Sequence, residues 1–244
     1  MRAFAFLHGF TGHAEDWQAV AAQLPAGTSG AAEPLLGHGG GGQATADSFG
    51  AEVDRLADRI RRASAEPVHL VGYSMGARLA LGLLVGHPEL FNRATLVGGQ
   101  PGLRTEPERN ARRREDARWI ELLGQGGVQR FADAWEAQPL FASQKRLPAE
   151  VLEPVRARRR RHDPDGLARA LEVLGLGAMP DLWPLLPQIA VPVTLVHGEL
   201  DAKFGALAGQ MAASIPGARV ASVRGAGHNP MLEQPRAVAE LIST

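Results

Sequence analysis

Cysteine is absent from the 244 residues. That excludes a disulfide framework, a thiolate metal site and thiol catalysis. No charge excess exists either: 26 Lys+Arg stand against 26 Asp+Glu. A nucleic-acid or membrane-surface binder needs a field of one sign, so neither partner is expected. Lysine is nearly missing, with only Lys145 and Lys203, which leaves 24 arginines as the basic complement. A GC-rich coding sequence produces such a bias, as does a need for planar groups that grip carboxylates; the first is the simpler account. No apolar run approaches the roughly 18 residues of a transmembrane helix. Leu79–Val85 is interrupted by Gly82 and stops at His87-Pro88. The apolar stretch before His8 is too short for the core of a signal peptide. A cytoplasmic protein is expected, and the length suits one large α/β domain with a substantial core.

Residues 2–7 read as a buried strand that runs into His8-Gly9-Phe10-Thr11-Gly12. Glu15–Leu24 has an amphipathic helical pattern stopped by Pro25, and the glycine-rich stretch 37–42 has to be a loop. A helix follows over Phe49–Ala63, with Val53, Leu56, Ala57 and Ile60 on one face. Pro67–Val71 is a second strand, Ala77–Val85 a tightly packed small-residue helix, and Ala94–Val97 a third strand. This alternation is that of a parallel sheet. From Arg104 to Arg161 the texture changes, with 13 of the 24 arginines and no good strand. Trp119, Ile120, Leu122 and Leu123, then Phe131 and Trp135, give two short helices their apolar faces. Strands return at Pro192–Val196 and Arg219–Val223, with a helix near Ala206–Ile215. The expected organisation is an α/β core over 1–98 and 186–244, with a helical cap over 99–185.

Gly72-x-Ser74-x-Gly76 between a strand and a helix has the pattern of a nucleophile elbow, where glycines flank a strained, exposed serine. A serine hydroxyl is inert until a histidine takes its proton, and that histidine needs a carboxylate to hold its tautomer. Asp201 and His228 follow in chain order, each just after a strand, where α/β sheets build their sites. Glu199 competes with Asp201, and a turn-capping acid or a surface histidine are the plain alternatives. The Phe10 and Met75 amides are placed to form an oxyanion hole. No metal-ligand cluster or dinucleotide fingerprint is present, so no cofactor is expected.

His8-Gly9-Phe10, Gly37-His38-Gly39, Gly72-Tyr73-Ser74-Met75-Gly76, Asp201 and His228 resemble the α/β-hydrolase fold over nearly the whole chain. Further stretches narrow this: Gly98-Gly99-Gln100-Pro101-Gly102-Leu103, Arg109-x-x-Arg112 with Asp116 and Trp119, and Gln138-Pro139-Leu140-Phe141-Ala142-Ser143. With Arg78 and Gly198-Glu199-Leu200-Asp201-Ala202-Lys203-Phe204 they resemble the 2-succinyl-6-hydroxy-2,4-cyclohexadiene-1-carboxylate (SHCHC) synthase family of menaquinone biosynthesis. The resemblance implies a lyase that eliminates pyruvate from 2-succinyl-5-enolpyruvyl-6-hydroxy-3-cyclohexene-1-carboxylate, a small tricarboxylate. It implies Ser74, Asp201 and His228 as the triad, and Arg78, Arg112, Arg156, Tyr73 and Trp135 as substrate-binding residues. Without it, Arg112 and Arg156 read as solvated helix faces and Trp135 as core. The run Arg158–Arg161 reads as solvated cap surface, and His38 as a structural loop residue.

Two departures from the family stand out. Only seven residues precede His8, so the leading hairpin should be missing and about six strands should remain. Glu33-Pro34-Leu35-Leu36 replaces the usual Asp then Pro. A carboxylesterase or thioesterase could use the same triad for acyl transfer, since one fold hosts many chemistries. A non-catalytic relative should have lost a triad member, and none is missing.

Overall fold

A computed structural model describes residues 3–39 and 46–243. Arg2, at the start of the first expected strand, and Gly40–Gly42 of the glycine-rich loop lie outside the described residues. Six strands, β1 (Ala3–Leu7), β2 (Ser29–Glu33), β3 (Val68–Tyr73), β4 (Phe91–Val97), β5 (Val193–Gly198) and β6 (Arg219–Val223), form one sheet. Their order is β2-β1-β3-β4-β5-β6, and every neighbouring pair is parallel. Strands of such a sheet are covered on both sides and are apolar at nearly every position. Phe4 and Phe6 accordingly enter one core while Ala5 and Leu7 enter the other.

Parallel neighbours require crossovers, and helices supply them. In chain order these are α1 (Gln18–Ala21), α2 (Phe49–Ala63), α3 (Met75–Gly86), α4 (Glu106–Glu136), α5 (Ala149–Arg159), α6 (Pro164–Leu174), α7 (Ala202–Ala212), α8 (Pro230–Glu233) and α9 (Pro235–Ser243). α2, α3 and α7 bury their apolar sides on the Ala5/Leu7 face; α1, α8 and α9 cover the Phe4/Phe6 face. α2 keeps the bounds its periodicity sets, with Ser48 Oγ capping Ala51 N–H at 3.2 Å. α3 packs so closely on α2 that a Cβ at Gly82 would lie 2.7 Å from Val53 Cγ2.

Two elements differ from expectation. The helix over Glu15–Leu24 is a 3-10 turn, Ala14–Trp17, followed by the four-residue α1. His13 N–H donating to Asp16 Oδ2 at 2.9 Å tightens the entry and shortens the regular part. The sixth strand is β2, Ser-Gly-Ala-Ala-Glu, which has neither β-branched nor aromatic side chains. It lies at the sheet edge, paired with β1 alone, and three of its five residues are exposed. Backbone pairing, not hydropathy, makes it a strand.

Between β4 and β5 the chain is helical. α4 starts at a capping box in which Thr105 and Glu108 satisfy each other's backbone N–H groups. It is broken at Gly127 (φ 65°, ψ 177°), so two helices meet across a kink. Their apolar faces meet Leu167 and Leu171 of α6, forming a small core with Phe131, Trp135 and Phe141. Phe10, from the loop after β1, inserts its ring edge-on against Trp135 at 5.0 Å.

The seam between α3 and β1 carries the first prediction. A Cβ at Gly76 would stand 2.3 Å from Leu7 O and 2.5 Å from His8 O. Gly76→Ala should therefore destabilise by at least about 1–3 kcal/mol in urea denaturation, the cost of overpacking against backbone that cannot yield. Gly50→Ala in α2, where a Cβ meets nothing within 4 Å, should be neutral or slightly stabilising. Equal stabilities for the two variants would contradict the close seam.

Candidate active site

The strand order reverses between β1 and β3, and open α/β sheets bind ligands in the crevice beyond such a switch point. Two loops meet there: His8–Gly12 after β1, and Ser74 after β3. Ser74 holds φ 50° and ψ −108°, outside the regions natural for a side-chain-bearing residue. Its N–H donates to Val97 O at 2.8 Å, which anchors the turn on β4. A Cβ at Gly72 would lie 2.6 Å from Gly76 O, so the bend closes only with glycine on that side.

His228 stands opposite, in the loop after β6. Its Nε2 lies 3.1 Å from Ser74 Oγ, and its Nδ1 lies 2.7 Å from Asp201 Oδ2. Asp201 caps α7, its Oδ1 accepting Phe204 N–H at 3.3 Å, so both carboxylate oxygens are held. The imidazole rests 4.4 Å from the Phe204 ring. Gly98, at φ 59°, leaves room for it; a Cβ there would come 2.9 Å from His228 Cε1. The competing acid, Glu199, turns away and accepts Gly225 N–H at 2.7 Å. The relay that Ser74, His228 and Asp201 form is that of an activated hydroxyl. The loop carrying His228 is fixed in turn by Glu233, which accepts Gly227 N–H at 2.9 Å and Ser143 O–H at 3.0 Å.

Met75 is the first residue of α3, where an N–H has no intrahelical acceptor. Phe10 lies across from it in the loop after β1. Beside them opens a cavity of about 690 Å³ including its mouth, lined by Tyr73, Ser74, His228, Trp135, Phe141 and Arg159 among others. Tyr73 is buried, and that burial raises its phenol well above the usual range. Trp135 Nε1–H is buried with no acceptor among the described residues.

The arginines fall out differently from the reading of the sequence. Arg159, assigned above to a solvated run, is only 8% exposed. It closes one wall of the cavity. Its Nε donates to Thr11 Oγ1 at 3.0 Å and its Nη1 to Glu136 Oε1 at 2.5 Å. Arg158 is tied to Asp16 at 2.7 Å. Four consecutive arginines on one helix end point in different directions, and the inner side of α5 takes these two. Arg156 is not among the residues lining the cavity; it pairs with Glu136 at 2.9 Å and Glu153 at 2.7 Å. Arg78 and Arg112 form a separate group where α3 meets α4 and α6. Arg78 donates to Leu174 O at 2.6 Å, and Arg112 to Asp116 Oδ1 at 2.8 Å. Burial, with Arg112 nearby, lowers the Arg78 guanidinium to about 9.

A cluster of histidines lies behind the loop His8–Gly12. His8 Nδ1 donates to Gly9 O at 2.8 Å and His38 Nδ1 to Leu36 O at 2.8 Å. Their Nε2 atoms accept Leu35 N–H at 3.4 Å and Thr11 N–H at 3.0 Å. Each ring gives one proton and takes one, which only a neutral imidazole does. His162 Nε2 donates to Thr11 O at 3.1 Å, and its ring stacks on His13 at 4.2 Å. His38 thus holds a loop, as a structural residue does. Among the described residues, no group of three or more His, Asp or Glu is placed to hold a metal ion.

The sequence model of the Alpha/beta hydrolase family matches residues 4–241. The SHCHC synthase of Salmonella paratyphi C is 36% identical over 249 residues, covering 99% of this chain and 92% of its own. That of Enterobacter sp. (strain 638) is 34% identical over 241 residues, with 98% and 89% covered. Among solved structures, MenH from S. aureus superposes with a TM-score of 0.94 at 30% identity, covering 99% of this chain and 91% of that one. A malate-bound thermophilic esterase from Thermogutta terrifontis follows at 0.85 and 25%, with 99% and 88% covered.

The neutral histidines fix a pH dependence. Burial lowers His8 to about 4 and His162 to about 3, and places His38 well below its ordinary value of 6.5. The unfolded chain takes up these protons as pH falls through about 6.5, whereas the folded chain does not until near those lowered values. The stability they contribute is complete above about pH 6.5. It is lost on acidification by up to about 1.4 kcal/mol per pH unit for each group. His162→Gln keeps a donor for Thr11 O and cannot titrate, so its melting temperature should fall less between pH 7 and 4.5. Identical pH slopes for the two proteins would remove His162 from this account.

Proposed function

Because the chain belongs to the alpha/beta hydrolase family and, within it, to the SHCHC synthases, we propose that it eliminates pyruvate from 2-succinyl-5-enolpyruvyl-6-hydroxy-3-cyclohexene-1-carboxylate in menaquinone biosynthesis. The observation that carries this reading is the Asp201–His228–Ser74 relay opening on a cavity walled by a buried guanidinium. His228 accepts the Ser74 proton, and the serine oxygen removes the ring proton beside the succinyl carbonyl. The freed electron pair moves onto that carbonyl as an enolate, whose charge the Phe10 and Met75 amides hold. Collapse of the enolate shifts the 3-ene into the 2,4-diene and expels the enolpyruvyl oxygen. That oxygen takes a proton from His228, and the enol tautomerises to pyruvate. Ser74 keeps the ring proton, so both groups return to their starting state without an acyl-enzyme.

Three carboxylates must lose their water on binding, and unpaired buried charge is costly. The planar fork of Arg159, in the cavity wall, suits one of them, and Arg78 and Arg112, which lie outside that lining, are assigned to the others by the family resemblance. Arg156, in this reading, braces Glu136 and through it Arg159. Tyr73 and Trp135 form the wall, and the unpartnered Trp135 N–H offers a donor to the substrate. We take residues 99–185 as a cap over a core of 1–98 and 186–244. Among the described residues no helix is long and apolar enough to cross a membrane; the proposal takes the enzyme as cytoplasmic.

Pyruvate release from the tricarboxylate, run beside p-nitrophenyl ester hydrolysis, tests the function. Ser74→Ala should lower turnover by about 10³-fold or more with the fold intact, and Asp201→Asn should also be severely impaired. A stable acyl-serine in rapid-quench mass spectrometry would instead assign acyl transfer. Arg159→Ala should reduce kcat/KM on the anionic substrate by about 10- to 1,000-fold while leaving a neutral ester little affected. Arg159→Lys should recover only part of that loss, because it keeps the charge without the fork. Arg156→Ala should cost less than Arg159→Ala; the reverse order would restore the arginine inferred from sequence.

A further inference from the structure

Among the described residues, only two other than glycine hold the left-handed backbone region: Ser74 at φ 50° and Thr11 at φ 63°. Both line the same cavity. A β-branched residue is among the worst suited to that region, and strain of this kind persists only where the surroundings over-determine it. The surroundings of Thr11 do so. Its N–H donates to His38 Nε2 at 3.0 Å, its carbonyl accepts from His162 Nε2 at 3.1 Å, and its hydroxyl accepts from Arg159 Nε at 3.0 Å. Those partners come from three places: the loop after β2, the turn between α5 and α6, and the last residue of α5. Glycine would relieve the backbone, so the side chain present points to a use for its hydroxyl. The preceding residue, Phe10, lines the cavity and packs its ring into the cap core.

We propose that Thr11 is a positioning residue whose hydroxyl orients the Arg159 guanidinium while its clamped backbone sets the Phe10 amide, so that the docking of α5 and the assembly of the oxyanion loop are one event. The proposal rests on the roles given above to Phe10 and Arg159. It adds a dependence of each on the other through one side chain. In the absence of the hydroxyl, Arg159 Nε is left buried beside a methyl group, and the fork is free to turn toward Glu136. Without its acceptor the buried, charged donor is no longer fixed, so orienting the fork falls to the binding of an anionic substrate.

The test compares Thr11→Ser, Thr11→Val and Thr11→Gly by steady-state pyruvate release, with hydrogen–deuterium exchange of peptides covering residues 149–162. Val keeps the shape without the acceptor, Gly relieves the strain without it, and Ser keeps the acceptor. Thr11→Val and Thr11→Gly should both lose about 10- to 100-fold in kcat/KM, mainly through KM. Both should exchange faster across 149–162, and Thr11→Ser should restore both readouts to near the parent values. In a double-mutant cycle with Arg159→Ala, the loss from Thr11→Val should nearly vanish. Parent-like kinetics and exchange in Thr11→Val would overturn the proposal, and so would additive losses in the cycle. A Thr11→Gly protein that matched the parent would reduce the residue to its backbone, which also overturns it. If the parent protein releases no pyruvate at all, the proposed function has failed. The exchange comparison still decides on Thr11, because it needs no substrate.

Discussion

The first turn of α3 approaches β1 so closely that Gly76 lies against the carbonyls of Leu7 and His8. Everything at the site depends on that approach. It brings the serine after β3 beside the loop after β1, so one contact sets the Ser74 hydroxyl and Phe10 at one crevice. β4 holds the other side of the bend through Val97 O, and Gly98, next in the chain, leaves the space His228 fills. The strain at Ser74 is sustained because backbone on two neighbouring strands leaves it nowhere else to go.

Around this frame, polar groups are buried in two opposite ways. The histidines behind the loop are kept neutral and spend each ring nitrogen on a backbone group, so they act as amide-like spacers with no charge. The arginines keep their charge and are only partly compensated: Arg159 by Glu136, and Arg78 by the more distant Asp116. The neutral histidines thus lie beneath a cavity whose wall includes both the Arg159 guanidinium and the Asp16 carboxylate.

The elbow and the glycine turns were legible in the sequence because they are written in short, local spacings, and the juxtaposition of Ser74, Asp201 and His228 because each follows a strand in the expected chain order. Glycine at 72 and 76 follows from sterics within one turn, and α2 from its apolar stripe and its cap. Arg159 was not legible. Arg158 and Arg159 end α5 while Arg160 and Arg161 follow it, and only the docking of α5 on Asp16, Thr11 and Glu136 turns the first two inward. A buried acidic partner at Glu136, one helix earlier, was the available clue. The role of Thr11 was hidden because its positive φ belongs to the assembled loop and to no composition. β2 was missed for a different reason, since its strand character comes from its partner.

That strand has a consequence for the molecule in company. β2 ends the sheet with its outer backbone groups unmatched by any strand among the described residues, a place where another polypeptide could align. Its side chains, however, are Ser, Gly and two Ala before Glu33, which is buried against Arg59. A foreign strand docking there would gain hydrogen bonds it already makes to water and would cover almost no oily surface. Sequence blandness thus acts as a guard: the margin is left unsealed, yet it offers newcomers nothing worth staying for.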